Sequence, residues 1–153
     1  MTITATIIDV QPDTRYQGTT YEHRVVLNVR GTTFGVFDPD MHADPSMIGE
    51  TREVEIFPFI PTKVVMSSDS TPQVIPYKND PKEYSKHTFC GQIDEISQEW
   101  PKWMTVDIGS GTVRIKFYRD PPPHIQYKET IEAATVGEMI CVTVSRVDLR
   151  EIK

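Results

Sequence analysis

Trp103-Met104-Thr105-Val106-Asp107-Ile108-Gly109-Ser110-Gly111-Thr112-Val113-Arg114-Ile115-Lys116-Phe117-Tyr118 reads as two short strands about a glycine-rich turn. Side chains alternate between the two faces of a strand. Met104, Val106 and Ile108 therefore share one face of the first strand, and Val113, Ile115 and Phe117 share one face of the second. Those six apolar side chains belong in a core. The opposite face carries Trp103, Thr105 and Asp107 beside Arg114, Lys116 and Tyr118, with Arg119 just beyond. With Gly109 to Thr112 as the loop, the facing pairs are Asp107–Arg114, Thr105–Lys116 and Trp103–Tyr118.

Further strands are expected on either side. Arg24 to Val29, Thr33 to Phe37, and Met139 to Leu149 are short runs rich in Val, Ile, Thr and Phe. Arg52 to Phe57 alternates with period two, placing Val54 and Ile56 on one face and Glu53, Glu55 and Phe57 on the other. Such runs bounded by Gly and Pro are the mark of strands. The 12 prolines cluster at 58–61, 72–81 and 121–123. Lacking an N–H donor, these segments are expected outside helix interiors and central strands. One helix is expected, over Tyr127 to Ala134, with Tyr127, Ile131 and Ala134 on one side. The fold class is all-β.

The order of these runs repeats. Ile7-Ile8-Asp9-Val10 resembles Gln92-Ile93-Asp94-Glu95-Ile96, and Val25 to Val29 matches Met104 to Ile108. Asp38-Pro39 matches Asp120-Pro121, and Ile48-Gly49-Glu50 matches Val136-Gly137-Glu138. The offsets run 85, 79, 82 and 88, a drift that loop insertions explain. This divides the chain into copy one (1–66), a polar, proline-containing linker (67–84) and copy two (85–153); the alternative is a single β-barrel or sandwich with evenly spaced strands. Val74 and Ile75 interrupt the linker's polar composition, so part of it is expected to dock on a barrel.

Three strands, a helix or loop, then a long strand opened by glycine resembles the oligonucleotide/oligosaccharide-binding (OB) fold, a five-stranded barrel. The resemblance covers roughly residues 2–66 and 88–152. It implies two small OB-like barrels in tandem and single-stranded nucleic acid as a ligand class. Copy two ends too soon after Leu149 for a separate fifth strand. Met139 to Ile152 is therefore expected to bend and serve twice, or the barrel is left incomplete or completed by the other copy.

Composition narrows the function. Sixteen Lys and Arg against 22 Asp and Glu give a net charge of −6, which argues against a polybasic binder but not against a local basic patch. Residues 1–70 hold 5 basic and 10 acidic residues, whereas 71–153 hold 11 and 12, so an anion is expected on the second copy. No apolar run approaches the roughly 18–20 residues that span a bilayer, and no membrane partner is expected. Cys90 and Cys141 are too few for a zinc site and are expected as buried free thiols. A disulfide between them would need a geometry that spacing does not show. Without an export leader at Met1 to Asp9, the expected location is a reducing cytoplasm.

The leading expectation is a non-catalytic binding module without a cofactor. Trp103 and Tyr118 would stack bases, and Arg114, Lys116 and Arg119 would contact phosphates, with Thr105 between them on single-stranded DNA or RNA. The same two aromatics could instead form a cross-strand pair that stiffens the hairpin or packs under copy one. An alternative is a protein-interaction, self-association or assembly module using the acidic copy one and exposed strand edges. A further alternative is a metal-dependent hydrolase at Asp38 to Asp44, where three carboxylates and His42 cluster. No phosphate loop, Gly-x-Ser-x-Gly or Cys-x-x-Cys motif is present, and no catalytic residue is assigned.

Overall fold

The hairpin of Trp103 to Tyr118 is one end of a single nine-stranded sheet. The computed structural model describes residues 1–80 and 83–153, with the backbone alone described for Thr14, Arg15 and Asn79. Pro81 and Lys82 of the expected linker lie outside the described residues. The described strands are β1 (Ile3–Tyr16), β2 (Thr19–Val29), β3 (Thr32–Asp38), β4 (Thr51–Met66), β5 (Gln73–Ile75), β6 (Thr88–Ile96), β7 (Lys102–Asp107), β8 (Thr112–Phe117) and β9 (Met139–Ile152). One α-helix, α1 (Lys128–Ala133), is present among the described residues. The all-β expectation holds, and no described helix is long and apolar enough to cross a membrane.

Strands neighbour one another in the order β3-β2-β1-β4-β9-β6-β7-β8, with β5 added on β6. The order reads the same from both ends of the chain's two halves: three strands pair in sequence, and the fourth returns beside the first. The central pair, β4 and β9, is antiparallel and runs from Val54↔Ile152 to Met66↔Ile140. Its outer parts bond onward: Ile3 to Thr6 of β1 lie on Val54 to Thr51, and Thr88 to Gln92 of β6 lie on Thr143 to Met139. The second part of β9 also meets β3 in parallel, at Phe37↔Asp148. Long strands thus serve twice.

The matched segments occupy matching places. Ile7 pairs with Leu27 before a bulge, and Ile93 pairs with Val106 before a bulge, so the 79-residue offset of the second strands is kept. Asp38 and Asp120 do not correspond, because Asp38 ends β3 whereas Asp120 lies beyond the end of β8.

Burial follows the alternation. Met104, Val106, Ile108, Val113, Ile115 and Phe117 are all buried, as are Val54 and Ile56. They join Ile7, Leu27 and Phe34 in one connected apolar cluster that includes both halves. The helix places Tyr127, Ile131 and Ala134 inward, as its spacing predicts. Val74 is buried through the pairing of β5 with β6, so this stretch packs on the sheet.

Two expectations are corrected. Pro58 and Pro61 lie inside β4, opposite Val147 and Val144, rather than outside a central strand. Beyond Val54 the described ladder bonds β4 to β9 alone, and register shifts between Pro61 and Lys63. The imino nitrogens therefore fall where β4 behaves as an edge. Cys90 and Cys141 are not free thiols. They oppose one another on β6 and β9, with Cα atoms 4.1 Å apart, and form a disulfide. Tertiary pairing of strands 51 residues apart creates this contact. With the thiols paired, the cysteines no longer support a reducing compartment.

Candidate functional site

The β7–β8 ribbon presents the expected outer face in a different register. Trp103 faces Lys116, Thr105 faces Arg114 and Asp107 faces Thr112. The turn closes one step earlier than Gly109 to Thr112, with the Ile108 N–H donating to the Gly111 carbonyl. The turn tip is also held by the first strand: the Thr4 N–H donates to the Ser110 carbonyl, and the Thr112 N–H donates to the Thr2 carbonyl. Every cross-strand partner is displaced by two residues, and a shift of two leaves each side chain on its face.

The new register changes the electrostatics. Asp107 does not meet Arg114, because its Oδ1 accepts the Gly109 N–H at 2.8 Å and caps the turn. Arg114 lies over the Trp103 ring instead, with its Cζ 4.4 Å from the centroid. The Lys116 Nζ sits 5.4 Å from the Trp103 ring and 5.2 Å from the Tyr118 ring, bridging the two aromatics. Among the described residues no carboxylate stands within ion-pairing distance of Arg114, Lys116 or Arg119. Arg114, Tyr118 and Arg119 are exposed, Trp103 and Lys116 half-buried, and Thr105 buried. Thr105 is therefore part of the ribbon's packing, with its hydroxyl against the Met1 sulfur.

The helix fixes the end of the ribbon. The Tyr118 N–H donates to the Tyr127 hydroxyl at 2.9 Å, and the Tyr127 ring packs edge-on against Phe117. Burial pushes the Tyr127 phenol above its ordinary pKa, so it remains a neutral acceptor. On the opposite flank, Asp94 and Glu95 share a surface depression with Trp103 and Arg114. An anion on the ribbon meets repulsion on that side.

The aromatic surface does not stop at the ribbon. Phe57 of β4 lies 6.3 Å from Trp103 and stacks on Phe59 at 5.6 Å. Arg150 of β9 covers Phe57 at 4.9 Å. Arg146 sits between Phe59, at 4.7 Å, and Phe37, at 4.9 Å. Its guanidinium is held by Asp148, with Nε to Oδ1 at 2.8 Å and Nη2 to Oδ2 at 3.1 Å. Burial pushes the Asp148 carboxyl upward, while Arg146 opposes that shift. Phe37 stacks on Tyr84 at 5.2 Å, and Arg24 lies over Tyr84 at 4.7 Å.

Sequence reasoning reached the outer position of Phe57 from the alternation of β4 but attached no role to it. It missed Phe59, Tyr84, Arg146 and Arg150, which only the β4–β9 pairing and the docked linker bring to this face. Tyr84 brings an aromatic ring against Arg24 of β2.

The acidic loop is used differently from a metal site. Asp38 is buried and accepts the N–H groups of His42 and Ala43, while Asp44 accepts that of Ser46. The Ser46 hydrogen bonds hold Asp44 below its ordinary carboxylate range. These carboxylates cap backbone turns. Among the described residues no three His, Cys, Asp or Glu side chains cluster closely enough to hold a metal.

No family model matches the chain, and no curated protein or solved structure matches it.

Proposed function

We propose that this chain is a pair of OB-like barrels that binds single-stranded nucleic acid through the outer face of β7 and β8. The parallel contact of β3 with β9, together with the antiparallel β4–β9 pair, supports the barrel reading. On that reading the second part of β9 is the fifth strand of the first barrel. The contact of β4 with β8 gives the second barrel its counterpart. Neither copy needs a fifth strand of its own.

One observation carries the ligand class. Arg114 lies over the Trp103 ring with no ion-pair partner among the described residues, on a ribbon whose next cation, Lys116, spans to Tyr118. A guanidinium over an indole, beside a phenol, offers flat surfaces to bases, and the three cations offer charge to phosphates. Base stacking on aromatics contributes about 1–3 kcal/mol per base, and the phosphate term falls steeply with salt. A face built only to stiffen the hairpin would not need three cations without an ion-pair partner among the described residues.

The test is intrinsic tryptophan fluorescence during titration with mixed-sequence single-stranded DNA and RNA, at low and moderate salt. Trp100 and Trp103 both report on this end of the molecule. Saturable quenching that weakens with salt and disappears in Trp103→Ala is the expected result. A flat response from the folded protein to both ligands overturns the proposal and moves the function to protein contact or assembly.

A further inference from the structure

The proposal above ends at the ribbon, but the surface that motivates it continues. We infer that a single strand bound at Trp103 runs on across the β4–β9 seam, over Phe57 and Phe59 toward Tyr84, so that both halves of the chain hold one ligand. This rests on the nucleic-acid reading of the β7–β8 face and extends it to a second subsite.

Continuity of the rings is the first ground. From Trp103 the next ring is Phe57 at 6.3 Å, then Phe59 at 5.6 Å, with Arg146 bridging Phe59 to Phe37 and Tyr84 stacked beyond. From Trp103 to Phe59 each ring lies within the spacing at which aromatic groups still interact; between Phe59 and buried Phe37 the Arg146 guanidinium spans the interval. Phe57 and Phe59 are only half-buried although both are large apolar side chains. They project from the outer face of a strand whose inner face carries Val54 and Ile56.

Charge sets the direction. Asp94 and Glu95 bound the ribbon on the β6 side, so a polyanion is turned away there. Toward the seam it meets Arg150, which is exposed, lies 4.9 Å over Phe57 and has no ion-pair partner among the described residues. Arg146 and Arg24 are already held by Asp148 and Asp13, so they orient the rings rather than add charge. Glu55 and Glu151, a facing pair one step along the same strands, limit the track on its other margin. The occupant that fits is a flexible chain of flat rings and phosphates.

The decisive experiment compares end-labelled oligodeoxythymidines of about 5 and about 20 nucleotides, spanning less and more than one OB-sized site, by fluorescence anisotropy on the full chain. The longer ligand should bind at least tenfold more tightly. Arg150→Gln and Phe59→Ala should each remove much of that advantage while leaving the short ligand unchanged. Trp103→Ala should weaken both. Arg150 is exposed, so its substitution reads binding rather than folding. Photocrosslinking of the longer ligand to wild-type protein should mark peptides containing Phe59 and Tyr84 as well as Trp103. Equal loss of both lengths, or crosslinks confined to the Trp103 peptide, would overturn the second subsite and leave the ribbon reading intact. Absence of binding to either length, both as oligodeoxythymidine and as oligouridine, would overturn both.

Discussion

Ile7 and Ile93 make the same two backbone hydrogen bonds in the two halves of the molecule. The Ile7 N–H donates to the Glu50 carbonyl at 2.9 Å, and its own carbonyl accepts from Gly49 at 2.7 Å. The Ile93 N–H donates to the Glu138 carbonyl at 2.9 Å, and its carbonyl accepts from Gly137 at 2.8 Å. Both glycines stand at positive φ, +90° and +95°, with open space where a side chain would begin. Gly49→Ala and Gly137→Ala should therefore each lower stability by about 1 kcal/mol through backbone strain alone. Chemical denaturation of the two variants checks this; a neutral effect at one site and not the other would break the equivalence.

Arg114 and Lys116 should set the salt response of binding. Each phosphate contact to a single strand contributes about 0.7 to the slope of log affinity against log salt. Arg114→Gln with Lys116→Gln should reduce that slope by about 1.4 and leave the melting curve nearly unchanged. An unaltered slope with unaltered affinity would show that these cations face no phosphate.

His87 should make the protein less stable in mild acid. It is fully buried; its Nε2 donates to the Gly35 and Glu83 carbonyls and its Nδ1 accepts the Tyr77 N–H. Burial holds its pKa below the ordinary value of 6.5, despite those carbonyls. The unfolded chain then binds the extra proton first. The stabilisation is complete above about pH 6.5 and is lost as pH falls from there toward the folded value. Thermal melts between about pH 5 and 7 should show this slope in the wild type and a smaller one in His87→Gln.

Reducing the Cys90–Cys141 bridge should lower the melting temperature. The bond closes a segment of 51 residues in the unfolded chain. Restricting a loop of that size stabilises the native state by about 2–4 kcal/mol. Melts with and without reductant, beside Cys90→Ala with Cys141→Ala, give the value. Two reactive thiols in native, unreduced protein would contradict the bridge.

What the sequence made legible follows from the range of the forces involved. Alternation is local, so the inward set Met104, Val106, Ile108, Val113, Ile115 and Phe117 and the outward set beginning with Trp103 were both readable. The ribbon's register was not, because the turn is held in part by Thr2 and Thr4, about a hundred residues away. The pairing of Cys90 with Cys141, and the line that runs from Trp103 through Phe57 to Phe59, depend on which strands become neighbours. Pro58 and Pro61 misled, since proline marks an edge, and β4 is central in the sheet yet locally bonded on one side.

The β4–β9 pair also bears on how the molecule can be divided. A peptide bond cut between Ser67 and Tyr84 would sever the chain without separating its parts, since eleven register positions still zip one fragment to the other. Made apart, each fragment would carry one naked strand of hydrogen-bonding groups; mixed, the two should reassemble by complementation, as a single object that happens to have two chains.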